Sequence, residues 1–178
     1  ALGGRAILAG VVGRDEPARR LAASLNKRVD HRGVVRAAHH NTPVKTRILA
    51  GGIHSAKQQV VRIDRAVNGV VTRDTRALCG RRTFDAAMKA DAVLVSDYGS
   101  GLVTPAFVSK LRGALKREGH PVPVLVDSRY RVLDYRGLTA CTPNESEVEQ
   151  ALGVRINDDR AVLERAGRDL LQRTGMQA

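Results

Sequence analysis

The stretch from Asp91 to Glu149 contains three short apolar runs, each followed by a polar loop. These runs predict three strands of one sheet. The runs span residues 92–96, 121–126 and 138–142. Residues 104–118 follow the first run and carry apolar side chains at helical spacing, with Gly119 at the expected helix end. A strand, a crossover helix and another strand indicate a parallel sheet. Ligands of open parallel sheets bind beyond the carboxyl ends of the strands, where these polar loops lie.

The chain before this stretch begins with an apolar strand at 5–12 and a helix at about 16–27. Asp15 is well placed as the N-cap of that helix, a structural role, and Leu21 is expected to face inward. Two further helices are predicted at about 75–89 and 157–172. The five histidines lack the spacing of metal ligands, and His39 and His40 are expected to lie exposed in a polar loop.

Residues 42–49 and 58–64 interrupt the alternation of strands and helices and predict a hairpin with a long loop. Strand periodicity places Lys45 and Arg47 on one face, opposite Val44, Thr46 and Ile48. Two cations on one face suit the binding of a phosphate group. They equally suit a solvated edge strand that charge protects from aggregation. The sequence leaves both interpretations open.

The net charge of +12 lies entirely in the first half of the chain. Residues 1–90 carry 18 basic and 6 acidic side chains, whereas residues 91–178 carry 12 of each. Clustered basic residues are typical of nucleic-acid binding. Aromatic residues make up only 3% of the chain, however, so the side chains that stack on single-stranded bases are scarce. Nucleic acid is therefore disfavoured, and a basic face for phosphorylated small molecules explains the charge as well.

The cysteine content and hydropathy indicate a cytoplasmic globular protein. Cys79 and Cys141 are isolated thiols without Cys-x-x-Cys spacing, which favours a reducing compartment and inert thiols. No run approaches the roughly 20 apolar residues of a membrane span. The first residues lack the apolar core of a signal peptide.

Two motifs carry a resemblance to a known family. Residues 142–149, Thr-Pro-Asn-Glu-Ser-Glu-Val-Glu, contain an Asn-x-x-Glu motif at Asn144 and Glu147. This segment resembles that of the ribokinase-like (PfkB-type) carbohydrate kinases. Residues 96–101, Ser-Asp-Tyr-Gly-Ser-Gly, are similar to the loop in the heptose 7-phosphate kinase domain of ADP-heptose synthases. The resemblance runs in the right order along nearly the whole chain.

The resemblance implies a three-layer α/β fold with a parallel central sheet and a small β-hairpin lid at about 44–64. The whole chain, residues 1–178, would then be one partial kinase domain, and the lid would form a homodimer contact. The implied ligands are ATP, Mg²⁺ and a sugar or sugar phosphate. Asn144, Glu147 and Asp127 would act near ATP and Mg²⁺ without ligating the metal directly. Residues Lys45, Arg47, Asp97 and Tyr98 would lie on the substrate side.

The Asn-x-x-Glu motif also has a purely structural interpretation. Asn144 can cap a helix while Glu147 reaches back to the cap residue, without contacting any ligand.

One part of the family pattern is missing from these residues. The Gly-Ala-Gly-Asp motif, whose Asp is the family's general base, does not occur in the 178 residues. We therefore expect little or no phosphotransfer by the isolated chain and assign no catalytic base. An ATP-dependent sugar or sugar-phosphate kinase is the first hypothesis. The alternative is a non-catalytic module for nucleotide or sugar binding, or for oligomerisation.

Overall fold

The computed structural model describes residues 3–51, 56–65 and 71–178, and these group into two compact units, Ala1–Thr83 and Phe84–Ala178. Residues 52–55 of the predicted hairpin connection, which include His54, and residues 66–70 lie outside the described residues. The strands are β1 Ala6–Val12, β2 Val29–Arg36, β3 Val44–Ala50, β4 Gln58–Arg65, β5 Val93–Asp97, β6 Val124–Ser128 and β7 Ala140–Cys141. The helices are α1 Glu16–Ser24, α2 Arg73–Ala87, α3 Pro105–Arg117, α4 Glu145–Leu152 and α5 Arg160–Thr174, with a 3₁₀ turn at Val132–Asp134.

In the first unit, β1 and β2 form a parallel pair connected by α1. The predicted cap is confirmed, because the Asp15 carboxylate accepts a hydrogen bond from the Ala18 N–H at 3.1 Å. The same carboxylate accepts from the backbone N–H and the hydroxyl of Thr42, at 2.8 and 2.7 Å. These bonds lower the pKa of Asp15 and tie the segment after β2 to the start of α1.

Two expectations for the first unit were wrong. His40 is buried, at 6% exposure, and its Nδ1 has no hydrogen-bond partner among the described residues. The reason is that the bonds between Thr42 and Asp15 hold this segment against the turn at Gly13, where the His40 carbonyl packs closely. Leu21 is 44% exposed, since Ala18 rather than Leu21 is the buried residue of α1.

The predicted hairpin is present as the antiparallel pair β3 and β4. Its register pairs Lys45 with Asp64 and Arg47 with Arg62, so these four side chains share one face. The opposite face carries Thr46, Ile48, Val61 and Ile63. All residues of β4 and all but the first of β3 are exposed.

The predicted parallel sheet is confirmed in the second unit, in the order β5-β6-β7. Helix α3 begins at the Thr104 cap, whose hydroxyl accepts from the Phe107 N–H, and ends before Gly119, which has a φ of +72°. β7 has only two residues, shorter than the run that predicted it. The backbone N–H groups of Thr139 and Thr142 nevertheless bond to β6 on either side of it.

One face of this sheet is packed, and the side chains of β5 and β6 on the other face are exposed or half-buried. The core combines alternate residues of β5 and β6 with α3, the 3₁₀ segment and α5, and includes Val95, Val108, Val124, Val126, Tyr135, Leu138 and Met176. Leu94 points to the other face and is 71% exposed, which corrects the expectation that the 92–96 strand is buried throughout.

The free thiols of Cys79 and Cys141 have pKa values raised by burial, as expected of inert thiols. No described helix combines the length and the apolar character needed to span a bilayer.

Candidate functional site

A cavity of about 450 Å³ opens in the second unit where β6 and β7 end and α4 begins. This is the edge of a parallel sheet at which ligands are expected. Its lining is dominated by polar side chains, namely Tyr98, Asp127, Arg129, Tyr130, Thr142, Asn144, Ser146, Glu147 and Gln150. Four of the residues singled out from the sequence, Tyr98, Asp127, Asn144 and Glu147, therefore meet in one cavity.

The start of α4 is a complete capping box. The Asn144 side-chain oxygen accepts hydrogen bonds from the Glu147 N–H at 3.0 Å and the Ser146 hydroxyl at 2.7 Å. Oε2 of Glu147 accepts from the Asn144 N–H at 3.0 Å. The structural role of this pair is thus confirmed, and it does not exclude a second role. Oε1 of Glu147 accepts no hydrogen bond from the described residues, and both side chains line the cavity.

Asp127 and Asp97 lie at the carboxyl ends of the neighbouring strands β6 and β5, yet their side chains occupy different environments. Asp127 pairs with Ser96 across the sheet, lies on the face opposite Val126, and lines the cavity. Asp97 lies on the packed face, is 3% exposed, and does not line the cavity. The sequence-based assignment of Asp97 to the substrate side thus has no support in the geometry of the cavity.

The buried Asp97 carboxylate holds two loops together. It accepts hydrogen bonds from the Tyr135 hydroxyl at 2.8 Å, the Ser128 hydroxyl at 3.3 Å and the Gly99 N–H at 2.9 Å. Burial and the Asp97 carboxylate raise the pKa of Tyr135, so this phenol stays protonated and remains a donor. The Asp97 carbonyl accepts from the Arg129 N–H at 3.1 Å. The residues on either side of the cavity mouth are therefore fixed by contacts behind it.

Arg129 and Tyr130 line the cavity and were not identified from the sequence. Both are exposed, and the Arg129 guanidinium carbon lies 5.5 Å from the centre of the Tyr130 ring. The Tyr130 ring also packs against Gly99, whose φ of +74° and missing side chain permit that approach. The signal that could have found Arg129 is its position, two residues beyond Asp127 at the end of a strand.

Lys45 and Arg47 belong to the first unit and lie on the charged face of the hairpin. The pKa of Asp64 on that face is lowered, first by its hydrogen bond to Arg62 and then by the charges of Lys45 and Arg47. The two cations thus share a face, as the alternation predicted. Their place on the substrate side stays a prediction.

The donor set of the cavity fits Mg²⁺ and a phosphate chain. Carboxylate, amide and hydroxyl oxygens come from Asp127, Glu147, Asn144, Thr142 and Ser146. Mg²⁺ prefers hard oxygen ligands and keeps several waters, which such groups can orient. Within the described ranges, no group of three or more His, Cys, Asp or Glu residues is arranged to hold a metal ion.

Solved structures of sugar kinases show the same fold. The chain superimposes on 2-dehydro-3-deoxygluconokinase from Thermotoga maritima with a TM-score of 0.68 and 14% identity, covering 99% of this chain and 57% of that one. A possible 1-phosphofructokinase from the same organism gives a TM-score of 0.70 and 17% identity, covering 97% and 53%. The ribokinase-like α/β fold predicted from the sequence is thereby confirmed.

Sequence comparison then defines the family. The model of the pfkB family carbohydrate kinases matches residues 1–175, and the chain belongs to this family. The bifunctional protein HldE of Geobacter sulfurreducens is 37% identical over 185 residues, covering 100% of this chain and 35% of the relative. HldE of Azorhizobium caulinodans is 35% identical over 160 residues, covering 86% and 31%. The chain thus spans about a third of the length of these curated relatives.

Proposed function

We propose that the chain is part of an ATP-dependent kinase that phosphorylates a sugar phosphate, of the heptose 7-phosphate class. The observation that carries the proposal is the cavity in which Asp127, Asn144 and Glu147 meet at the carboxyl end of a parallel sheet. Membership of the carbohydrate kinase family and similarity to the HldE proteins support the substrate class. The two unpaired thiols accord with action in the cytoplasm.

In this proposal, the cavity binds the phosphates of Mg·ATP. Phosphoryl transfer depends mainly on positioning and on stabilising charge around the phosphates, to which a bound Mg²⁺ contributes. Asp127 and the free oxygen of Glu147 orient the water shell of that ion. Asn144 fixes Glu147 through the capping box and keeps α4 in place.

Calorimetric titration of the 178-residue chain with Mg·ATP tests this assignment. We expect binding that Asp127→Asn and Glu147→Gln weaken and that removal of Mg²⁺ by a chelator abolishes. Glu145→Gln is the matched control, because Glu145 lies in the same first turn of α4 and does not line the cavity. Equal effects of the Glu145 and Glu147 substitutions would refute a specific role for Glu147.

Phosphate transfer by the chain would exclude the alternative function, a non-catalytic binding or oligomerisation module, whereas its absence accords with both functions. The missing Gly-Ala-Gly-Asp motif predicts that this chain alone transfers little or no phosphate. A coupled assay that detected phosphorylation of a sugar phosphate by the chain would exclude the alternative and contradict that prediction.

We further propose that the hairpin has two functions, one for each face. On the apolar face, Ile48, Val61 and Ile63 are 47%, 43% and 46% exposed, and they would pack against a second copy of the chain. An isolated two-stranded hairpin is marginally stable in water, so such a contact would stabilise it. On the charged face, Lys45 and Arg47 would bind the phosphate of the sugar substrate.

Sedimentation of two variants tests the contact between copies. Ile48→Asp places a charge on the apolar face and should shift the chain from dimer to monomer. Lys45→Gln changes the opposite face and should leave the dimer intact. Dissociation of both variants, or of neither, would contradict the assignment of the two faces.

A further inference from the structure

The cavity contains a cation that the proposed Mg²⁺ chemistry does not use. Arg129 is the one basic residue among those that line the cavity in the described part of the chain. The Arg129 N–H donates a hydrogen bond to the Asp97 carbonyl. Two residues further on, the Arg131 N–H donates one to the Ser128 hydroxyl. The guanidinium therefore projects from a backbone segment that hydrogen bonds hold on both sides.

The guanidinium of Arg129 has no carboxylate partner among the described residues. Its contact is with the face of the Tyr130 ring, which orients the group without consuming its N–H donors. Arg131, two residues further on, differs because its Nε donates to Asp134 at 2.9 Å. Of these two neighbouring arginines, the one that faces the cavity has its donors free for a ligand.

The charges around the cavity select the kind of ligand. Asp127 and Glu147 would repel a bare anion, and Arg129 would repel a bare cation. A phosphate chain that carries Mg²⁺ suits both the two carboxylates and the guanidinium. The metal and its waters would face the carboxylates, and the phosphate oxygens would face the guanidinium. We propose that Arg129 is the phosphate-binding residue of the Mg·nucleotide site. This inference rests on the proposed function and adds the residue that recognises the polyphosphate.

Binding measurements with two probes test the proposal. Mg·ADP and Mg·tripolyphosphate are titrated into the wild-type chain and into Arg129→Gln, Arg129→Lys and Arg131→Gln. Charge-assisted hydrogen bonds contribute about 1.5–3 kcal/mol, so Arg129→Gln should weaken both probes about ten- to hundredfold. Arg129→Lys keeps the charge and loses the bidentate fork, so it should lie between wild type and Arg129→Gln. Far-ultraviolet circular dichroism confirms that each variant is folded.

Arg131→Gln is the matched control, because it removes the same charge from the same loop outside the cavity, and its affinities should stay within about twofold of wild type. If Arg129→Gln behaves like this control while the wild type binds Mg·ADP, the role of Arg129 is refuted and the proposed function stands. If Arg129→Gln weakens Mg·ADP but not Mg·tripolyphosphate, Arg129 contacts the nucleoside and the phosphate assignment is wrong. Failure of the wild type to bind either probe would refute the proposed function and this inference together.

Discussion

Removing the Tyr135 hydroxyl tests the buried support behind the cavity. Tyr135→Phe keeps the ring, which is 1% exposed and part of the core, and deletes one of the three donors to the Asp97 carboxylate. A hydrogen bond to a charged group contributes about 1.5–3 kcal/mol, and a buried carboxylate has no water to replace the lost donor. The free energy of unfolding should therefore fall by about 2 kcal/mol.

Urea unfolding followed by circular dichroism measures this loss. Tyr130→Phe is the control, since Tyr130 is 58% exposed and its hydroxyl has no hydrogen-bond partner among the described residues. That variant should stay within about 0.5 kcal/mol of wild type. Combining Tyr135→Phe with Asp97→Asn should reveal a coupling energy well above zero. Equal stabilities of the two tyrosine variants, or a coupling near zero, would show that the carboxylate does not depend on this donor.

Three further outcomes follow from local contacts. Asn144→Ala should lower the free energy of unfolding by about 1 kcal/mol, because it removes the cap of α4. Glu147→Gln keeps the capping box, so its melting temperature should stay close to that of the wild type. Gly13→Ala should lower the free energy of unfolding by about 1–3 kcal/mol, because a Cβ there would lie 2.3 Å from the His40 carbonyl oxygen. Gly10→Ala is the control, since nothing lies within 4 Å of the added atom. Equal melting temperatures of the two variants would contradict the predicted steric clash at Gly13. Above about pH 10 the unfolded chain releases the Tyr135 proton, while the folded chain retains it because the pKa of Tyr135 is raised there. The wild type should therefore lose stability as the pH rises further, and Tyr135→Phe should lose less. Urea midpoints measured at several pH values check this difference.

The sequence predicted the strand ends of the second unit better than it predicted the direction of their side chains. Asp97 and Asp127 each end a short apolar run, and the family resemblance implies that both lie near a ligand. Strand alternation separates them, because Asp97 lies two residues beyond buried Val95 and Asp127 lies one beyond buried Val126. Counting from the buried residues would have directed Asp97 into the core.

The elements and residues that sequence reasoning missed lack a distinctive pattern. β2, Val-Asp-His-Arg-Gly-Val-Val-Arg, mixes charges with a central glycine, so its periodicity is hidden. The structure explains Gly33, because a Cβ there would lie 2.5 Å from the Leu8 carbonyl oxygen of β1. Arg129 is one of 30 basic residues. Its position two residues beyond Asp127 is the one signal in the sequence, and the fold then places it in the same cavity as Glu147.

The distribution of tyrosines gives this chain a built-in optical probe. It has no tryptophan, and its three tyrosines all lie in the unit Phe84–Ala178. Tyr98 and Tyr130 stand exposed at the cavity, whereas Tyr135 is enclosed. Intrinsic fluorescence of the unmodified chain therefore originates in the cavity-bearing unit alone, and a ligand that enters the cavity contacts two of the three emitters. A single tryptophan introduced into Ala1–Thr83 would give the other unit a separate signal at longer wavelength, so the two halves could be followed independently in one sample.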